Sequence, residues 1–435
     1  MTLRALIAAV LLALPGLASA GDFYTLKGHG GPIMGIAVAP SGVVATASFD
    51  NAVGFWRDDQ PVWLDGHEAA VKSVVFLSED RLASAGDDFA VRVWDLATGN
   101  GRELGRHKGK IVALAPSPDG KFIAAASWDG TIGLWPVEGN EPRFLSGHDG
   151  GVNDLVFIEG GKTLLSASID GTIRRWDTLS ATEERVVLRH GFGVNKLVVD
   201  EDAGWLAYGS VDGVTRVVDL TSENEVIDLT LGRRPILALA LNQDGSQLAM
   251  GDGEGYISVF NTSDWSVATD FRATTRGPIW ALAFSPDGAN VHAGGLDEAM
   301  YSWPVDRASD NPQMDVEGKP FLQGTEMASN GERQFKRKCA ICHTLTPDGQ
   351  RRAGPSLHGL FGRPAGAIQD YTYSDALTGT DIVWGDETID KLFDLGPDVF
   401  TPGSKMPMQR ITEPQDRLDL IAYLRDQTTS VGGEQ

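Results

Sequence analysis

The chain contains two cysteines, Cys339 and Cys342, separated by Ala340 and Ile341 and followed at once by His343. Two thiols at this spacing can add to the two vinyl groups of one haem and form thioethers. One helical turn presents both sulfurs to the same edge of the ring, and the adjacent imidazole then points at the iron. Cys-x-x-Cys-His is the c-type haem attachment signature. Two other chemistries also use paired cysteines. A dithiol redox pair needs a βαβ setting, which is absent around residue 339. A zinc site needs more thiol or imidazole ligands than one short cluster supplies. The pentapeptide therefore implies one covalently bound haem c, with the thioethers on Cys339 and Cys342 and a ring nitrogen of His343 facing the iron.

The residues around it form an ordered set. Gly331 and Phe335 precede the pentapeptide on a helix-forming stretch. Gly354-Pro355-Ser356-Leu357-His358-Gly359 and Gly362-Arg363 follow it, then Tyr371-Thr372-Tyr373-Ser374-Asp375-Ala376 and Trp384. Pro402-Gly403-Ser404-Lys405-Met406-Pro407 comes next, and Leu420-Ile421-Ala422-Tyr423-Leu424 falls on a last helix. In this order they resemble the small soluble class I cytochromes c over most of 325–428. The resemblance implies a small all-α domain in which His343 is the proximal iron ligand and Met406 the distal one. Met408, two residues on, is the alternative. A thioether ligand favours reduced iron and raises the potential. The resemblance also implies that the Pro355 carbonyl accepts the imidazole proton, fixing the ring and its basicity. Arg363, Tyr373 and Trp384 would address the haem propionates; Tyr371 would do so or simply pack. Gly331 would let the first and last helices cross closely, with Phe335, Leu420 and Tyr423 in the seam. His358 would lie at the surface. Lys338, Arg351, Arg352, Lys405 and Arg410 flank the two haem-binding loops in sequence. In this family positive charge rings the exposed haem edge and steers docking, so electron transfer with an acidic partner should slow as ionic strength rises.

The larger part of the chain is of another kind. Short runs of alternating apolar and polar β-formers are separated by Gly and Asp turns, as in 152–177, which reads as strands and hairpins. The pattern repeats. A closing Trp recurs at Trp56, Trp94, Trp135 and Trp176, and Val218, Phe260 and Trp303 take its place afterwards, at intervals of 38 to 43 residues. A turn Asp lies six residues earlier at Asp50, Asp88, Asp129, Asp170, Asp212 and Asp297, with Glu254 in that place once. His29, His67, His107, His148 and His190 open the repeats; Gly232 and Thr275 stand where the last two would fall. A period of about 40–45 residues with Gly-His and Trp-Asp marks resembles the WD-repeat family. That implies a seven-bladed β-propeller of four-stranded blades, with Asp22 to Lys27 supplying the outer strand of the last blade. The repeated His, Asp and Trp read as hydrogen-bonded packing within each blade, since a reaction site is not repeated around a ring. The fold class is thus multidomain: an all-β WD-repeat propeller (21–305), a linker (306–324), a class I cytochrome c domain (325–428) and a disordered tail (429–435).

Arg4, the apolar run Leu6 to Leu14 and Ala18-Ser19-Ala20 read as a secretory signal peptide over 1–20. The run is too short to span a bilayer comfortably, so the mature chain is expected to carry no transmembrane segment and to reside in the periplasm. The formal net charge is −22. Residues 325–435 hold 12 Lys and Arg against 16 Asp and Glu, so most of the acidity lies in the repeats. That argues against nucleic acid as a partner. The expected function is single-electron transfer without enzymatic catalysis, to or from a periplasmic or membrane redox protein, with the propeller docking a protein. The alternatives are a cytochrome-linked oxidoreductase whose propeller holds a second cofactor or substrate site, and a haem-based redox sensor.

Overall fold

The computed structural model describes residues 21–57, 60–139, 141–315, 328–347, 351–369, 371–407 and 409–429. The leader over 1–20, residues 316–324 of the expected linker, Met408 and residues 430–435 lie outside them.

Seven four-stranded antiparallel sheets form the N-terminal body. The alternating strands bury apolar side chains on both faces, because each sheet packs against a neighbour on either side. Val53, Phe55 and Leu64 of the first blade meet Val71, Leu82 and Trp94 of the second. Leu165 and Ile173 of the fourth meet Val194, Leu206 and Val218 of the fifth. As the sequence implied, Tyr24–Lys27 completes the last blade, pairing Tyr24 with Ser302 through Lys27 with Ala299. Joining first strand to last removes an exposed sheet edge.

The repeated polar residues form closed hydrogen-bond chains. In the first blade Trp56 Nε1 donates to Thr46 Oγ1 (2.9 Å), which meets His29 Nε2 (2.7 Å), and His29 Nδ1 meets Asp50 Oδ2 (2.9 Å). The tryptophan can only donate, so the hydroxyl passes its own proton toward Nε2 and Nδ1–H faces the carboxylate. Ser84 and Ser166 play the part of Thr46 in the second and fourth blades. The third blade breaks the chain: Ala125 stands in the hydroxyl position, and His107 Nε2 and Trp135 Nε1 are buried without a partner. Ala125→Ser will restore the link and stabilise the propeller by about 1–2 kcal/mol; a fall in its thermal unfolding midpoint would refute this.

The sixth blade departs from the sequence reading. The turn-Asp role is shared there: Glu254 Oε1 accepts the Arg234 backbone N–H (3.3 Å), as Asp50 accepts that of Gly30 in the first blade, while the buried Asp252 accepts backbone N–H bonds from Glu254 and Tyr256. Arg233 replaces the missing histidine, donating to Asp252 (2.7 Å) and Ser258 (2.8 Å). The start of the expected linker also belongs to the propeller. Residues Val305–Asp310 form a 3₁₀ turn, Ala308 and Met314 pack with Phe271 and Trp303, and Trp303 Nε1 donates to the Pro312 carbonyl (3.0 Å).

The C-terminal body is a small helical domain: α1 (Asn330–Lys338), α2 (Asp375–Thr378), α3 (Asp386–Leu395), α4 (Pro397–Phe400) and α5 (Pro414–Thr429). Ser329 caps α1 by accepting the Glu332 N–H (3.2 Å). Helices α1 and α5 cross at Gly331, where a Cβ would strike the Asp419 carbonyl and approach Tyr423 Cβ to 2.7 Å. Phe335 and Tyr423 meet in the seam, ring centroids 5.7 Å apart. Gly331→Ala will force the helices apart and cost about 1–3 kcal/mol, read as earlier denaturant unfolding followed through the haem absorbance.

Candidate haem site

The attachment residues extend the end of α1. Cys339 N donates to the Phe335 carbonyl (2.8 Å), and Cys342 N and His343 N both donate back to the Cys339 carbonyl (3.0 and 2.9 Å). This turn brings the two free thiols, both buried, into the wall of one cavity of about 690 Å³. Burial pushes each thiol up to about 12.

The same cavity is lined by His343, Pro355, Arg363, Tyr371, Tyr373, Trp384 and Met406, with Leu357, Leu360, Ile389, Leu392 and Phe393 as apolar walls. Residues more than sixty positions apart in sequence thus share one space. His343 Nδ1 donates to the Pro355 carbonyl at 2.7 Å, the bond the sequence implied. A carbonyl can only accept, so the proton is on Nδ1 and Nε2 keeps its lone pair. Burial lowers the imidazole pKa despite that bond and keeps the ring neutral, the form that ligates a metal. Gly354 lies flat against the ring; a Cβ there would press into it, 2.7 Å from Nδ1. His358 is half-buried, and it does not line the cavity.

The polar residues divide. Arg363 donates to the carbonyls of His358 (2.7 Å) and Ser356 (2.9 Å), which stiffens the loop after Pro355. Tyr371 packs edge-on against Tyr373 at 4.9 Å, and its hydroxyl is engaged by the Ala353 carbonyl (2.6 Å). Ser374, which the sequence reading did not single out, presents a buried hydroxyl with no partner to the cavity, and Gln409 Oε1 is another such atom. Orphaned polar atoms in a mainly apolar chamber fit a group with an apolar face and polar ends. The donor set fits haem as well: two thiols, a neutral imidazole nitrogen and a thioether sulfur.

The five candidate docking cations are placed as follows. Lys338 Nζ donates to the Arg410 carbonyl (3.3 Å), and Arg410 Nε donates to the Asp394 carbonyl (2.7 Å). Lys405 Nζ donates to the Thr372 carbonyl (2.9 Å). Burial lowers the Lys405 pKa, opposed by Glu68, Asp65 and Asp88 of the propeller. Arg351 and Arg352 are already paired within the chain. Arg351 bonds Asp65 and lies 3.2 Å from Asp50, with its guanidinium 4.8 Å from the Trp63 ring centre. Arg352 bonds Glu298. Burial alone would raise the Asp50 carboxyl, but His29 and Arg351 outweigh it and hold it below the usual carboxylate range.

A propeller of repeated His-Asp-Trp blades joined to a helical domain with a Cys-x-x-Cys-His cavity defines a WD-repeat protein with a c-type haem domain. The family model described as "Cytochrome c" matches residues 328–428, and "WD domain, G-beta repeat" matches 22–57, 60–95, 100–136, 139–177 and 265–303. The fifth and sixth blades, whose marks are worn, fall outside those matches. Among curated proteins the chain is similar to "Cytochrome c" of Gibberella zeae, 43% identical over 98 residues, 22% of this chain and 92% of that protein. Cytochromes c of Sesamum indicum (44% over 101 residues, 23% of this chain, 88% of theirs) and Gossypium barbadense (45% over 103, 23% and 90%) are similar in the same way. The chain belongs to the cytochrome c family through this domain. The family implies a covalently attached haem c and haem-based electron transfer, and the WD-type propeller suggests protein interaction.

Proposed function

We propose that this protein is a periplasmic electron carrier that moves single electrons through one His343/Met406-ligated haem, while its propeller docks a protein partner. The observation that carries the reading is the Nδ1–H bond from His343 to Pro355. It leaves Nε2 as the ligating nitrogen of a cavity whose wall also holds Met406 and both thiols. When bound, the haem supplies a ferric/ferrous couple. Cys339 and Cys342 would anchor it through their sulfurs, and His343 Nε2 and the Met406 sulfur would hold the iron against small substrates. The apolar walls exclude water, and Ser374, Arg363, Tyr373 and Trp384 receive the polar edge. With those two side chains on the iron, the protein's part would be to hold the ligands and tune the potential, which is carriage rather than catalysis. The leader-like residues 1–20 support export to the periplasm, and a donor or acceptor there would be a soluble or membrane-bound redox protein. Among the described residues no helix is long and apolar enough to cross a membrane.

An optical redox titration of the purified holoprotein tests this. The expected result is c-haem bands alone, one haem per chain, and a one-electron slope. Absorption from a further cofactor would replace carriage with an enzymatic role for the propeller.

A further inference from the structure

The two bodies meet at the haem cavity. The cavity that begins at Cys339, Cys342 and His343 ends against Phe49, Asn51, Glu68, Ala70 and Asp88 of the propeller. Around this mouth the contacts are specific. Gly30 lies so close to the 351–352 backbone that a Cβ would collide with the Arg351 carbonyl. Asn51 Nδ2 donates to the Ala353 carbonyl (3.3 Å), the same oxygen that Tyr371 holds from the haem side. The Arg351 and Arg352 ion pairs flank these backbone contacts on either side.

We infer that this sector of the propeller is a docking site for the chain's own haem domain, and that it covers the haem edge so that an outside partner exchanges electrons only after the two bodies part. The inference rests on the carrier reading above and identifies the propeller's first client. Most of the acidity of the chain lies in the propeller, and the residues that meet it are cations of the loop beside Cys342. The Arg351–Asp65 pair reaches the surface and is the one salt weakens most, while the buried Asp50 is screened less; with a cation over Trp63 and close backbone contact at a glycine they make a fitted but modest interface. Arg351 and Arg352 therefore act inside the chain, and higher ionic strength opens the closed form. This reverses the salt dependence expected if those arginines faced an external acidic partner.

Two variants of the full-length holoprotein test it. Gly30→Ala blocks close approach with no change of charge. Arg351→Ala with Arg352→Ala removes the ion pairs. Two quantities are read at one ionic strength: hydrogen exchange of peptides spanning 28–31 and 351–354, and electron self-exchange between ferrous and ferric copies. In self-exchange one electron leaves the ferrous haem of one copy and reduces the ferric haem of another, with no bond made or broken. Both variants should raise hydrogen exchange in both peptides and speed self-exchange tenfold or more, with the haem spectrum of the parent. Unchanged hydrogen exchange in both variants would overturn the docking. Raised hydrogen exchange with unaltered self-exchange would overturn the covering of the haem edge. A slower double variant beside an unaltered Gly30→Ala would show a net-charge effect and overturn the proposal as well. A parent that carries no c-haem would sink the carrier reading itself, which the spectrum reports separately.

Discussion

Met406→Ala holoprotein will bind carbon monoxide in its ferrous form where the parent does not, and its reduction potential will fall. Met406 lies in the loop between α4 and α5, partly buried against the helical core, in the wall of the cavity that also holds His343. A thioether is a soft, weak ligand that favours the ferrous state. Alanine removes it and would leave the iron open to water or an added ligand. The drop should reach tenths of a volt, inside the roughly 0.8 V that axial ligation spans. The loop itself should hold, because Ser404 N bonds the Thr401 carbonyl (3.0 Å) and Lys405 bonds the Thr372 carbonyl. Met408→Ala is the control, and it should keep both the parent potential and the indifference to carbon monoxide. If Met408→Ala opens the iron and Met406→Ala does not, the distal assignment is wrong.

How much could be read from the sequence depended on how far apart the cooperating residues lie. The pentapeptide is local, so its chemistry was visible from residue types alone, and the turn that joins its sulfurs is one helical step. The propeller was legible because a short pattern recurs seven times, and even a worn copy can be placed by its neighbours. The errors fall where one residue took over another's role. In the sixth blade Arg233 does the work of a histidine and adds Asp252 as an acceptor beside Glu254, a division that spacing does not reveal. Ser374 stands in the Tyr371–Ala376 match without a role of its own, because a serine carries no signal until a cavity forms around it. The largest gap is the seam between the bodies. Arg351 pairs with Asp65 across 286 residues and with Asp50 across a still longer stretch, and Tyr371 is engaged there at Ala353. Such pairings arise only when two separately legible folds are docked. A cluster of cations near a haem motif therefore read as a surface for a stranger.

Cys339→Ser combined with Cys342→Ser will yield a chain with no haem that survives denaturation, and whose C-terminal domain is unfolded. The first half follows from bond type. Axial His and Met contacts dissociate in denaturant, whereas thioethers persist, so haem staining after denaturing electrophoresis and intact mass should go from one haem per chain to none. Either single variant keeps one thioether and should stay stained. The second half follows from the cavity. Left empty, space of this kind costs about 24 cal/mol per Å³. Even half of the 690 Å³ would then remove about 8 kcal/mol, comparable to the ~5–15 kcal/mol that holds a whole domain together. Water recovers little of this, because Leu357, Leu360, Ile389, Leu392 and Phe393 offer it no hydrogen bonds. The group is therefore part of the core that α1, α3 and α5 pack around. The propeller has its own cores between blades and should stand without it. Limited proteolysis of the double variant should degrade 328–429 while 21–315 remains intact. A C-terminal domain as resistant as the parent's would show that the helices fold around an empty cavity, and that the haem adds chemistry without adding structure.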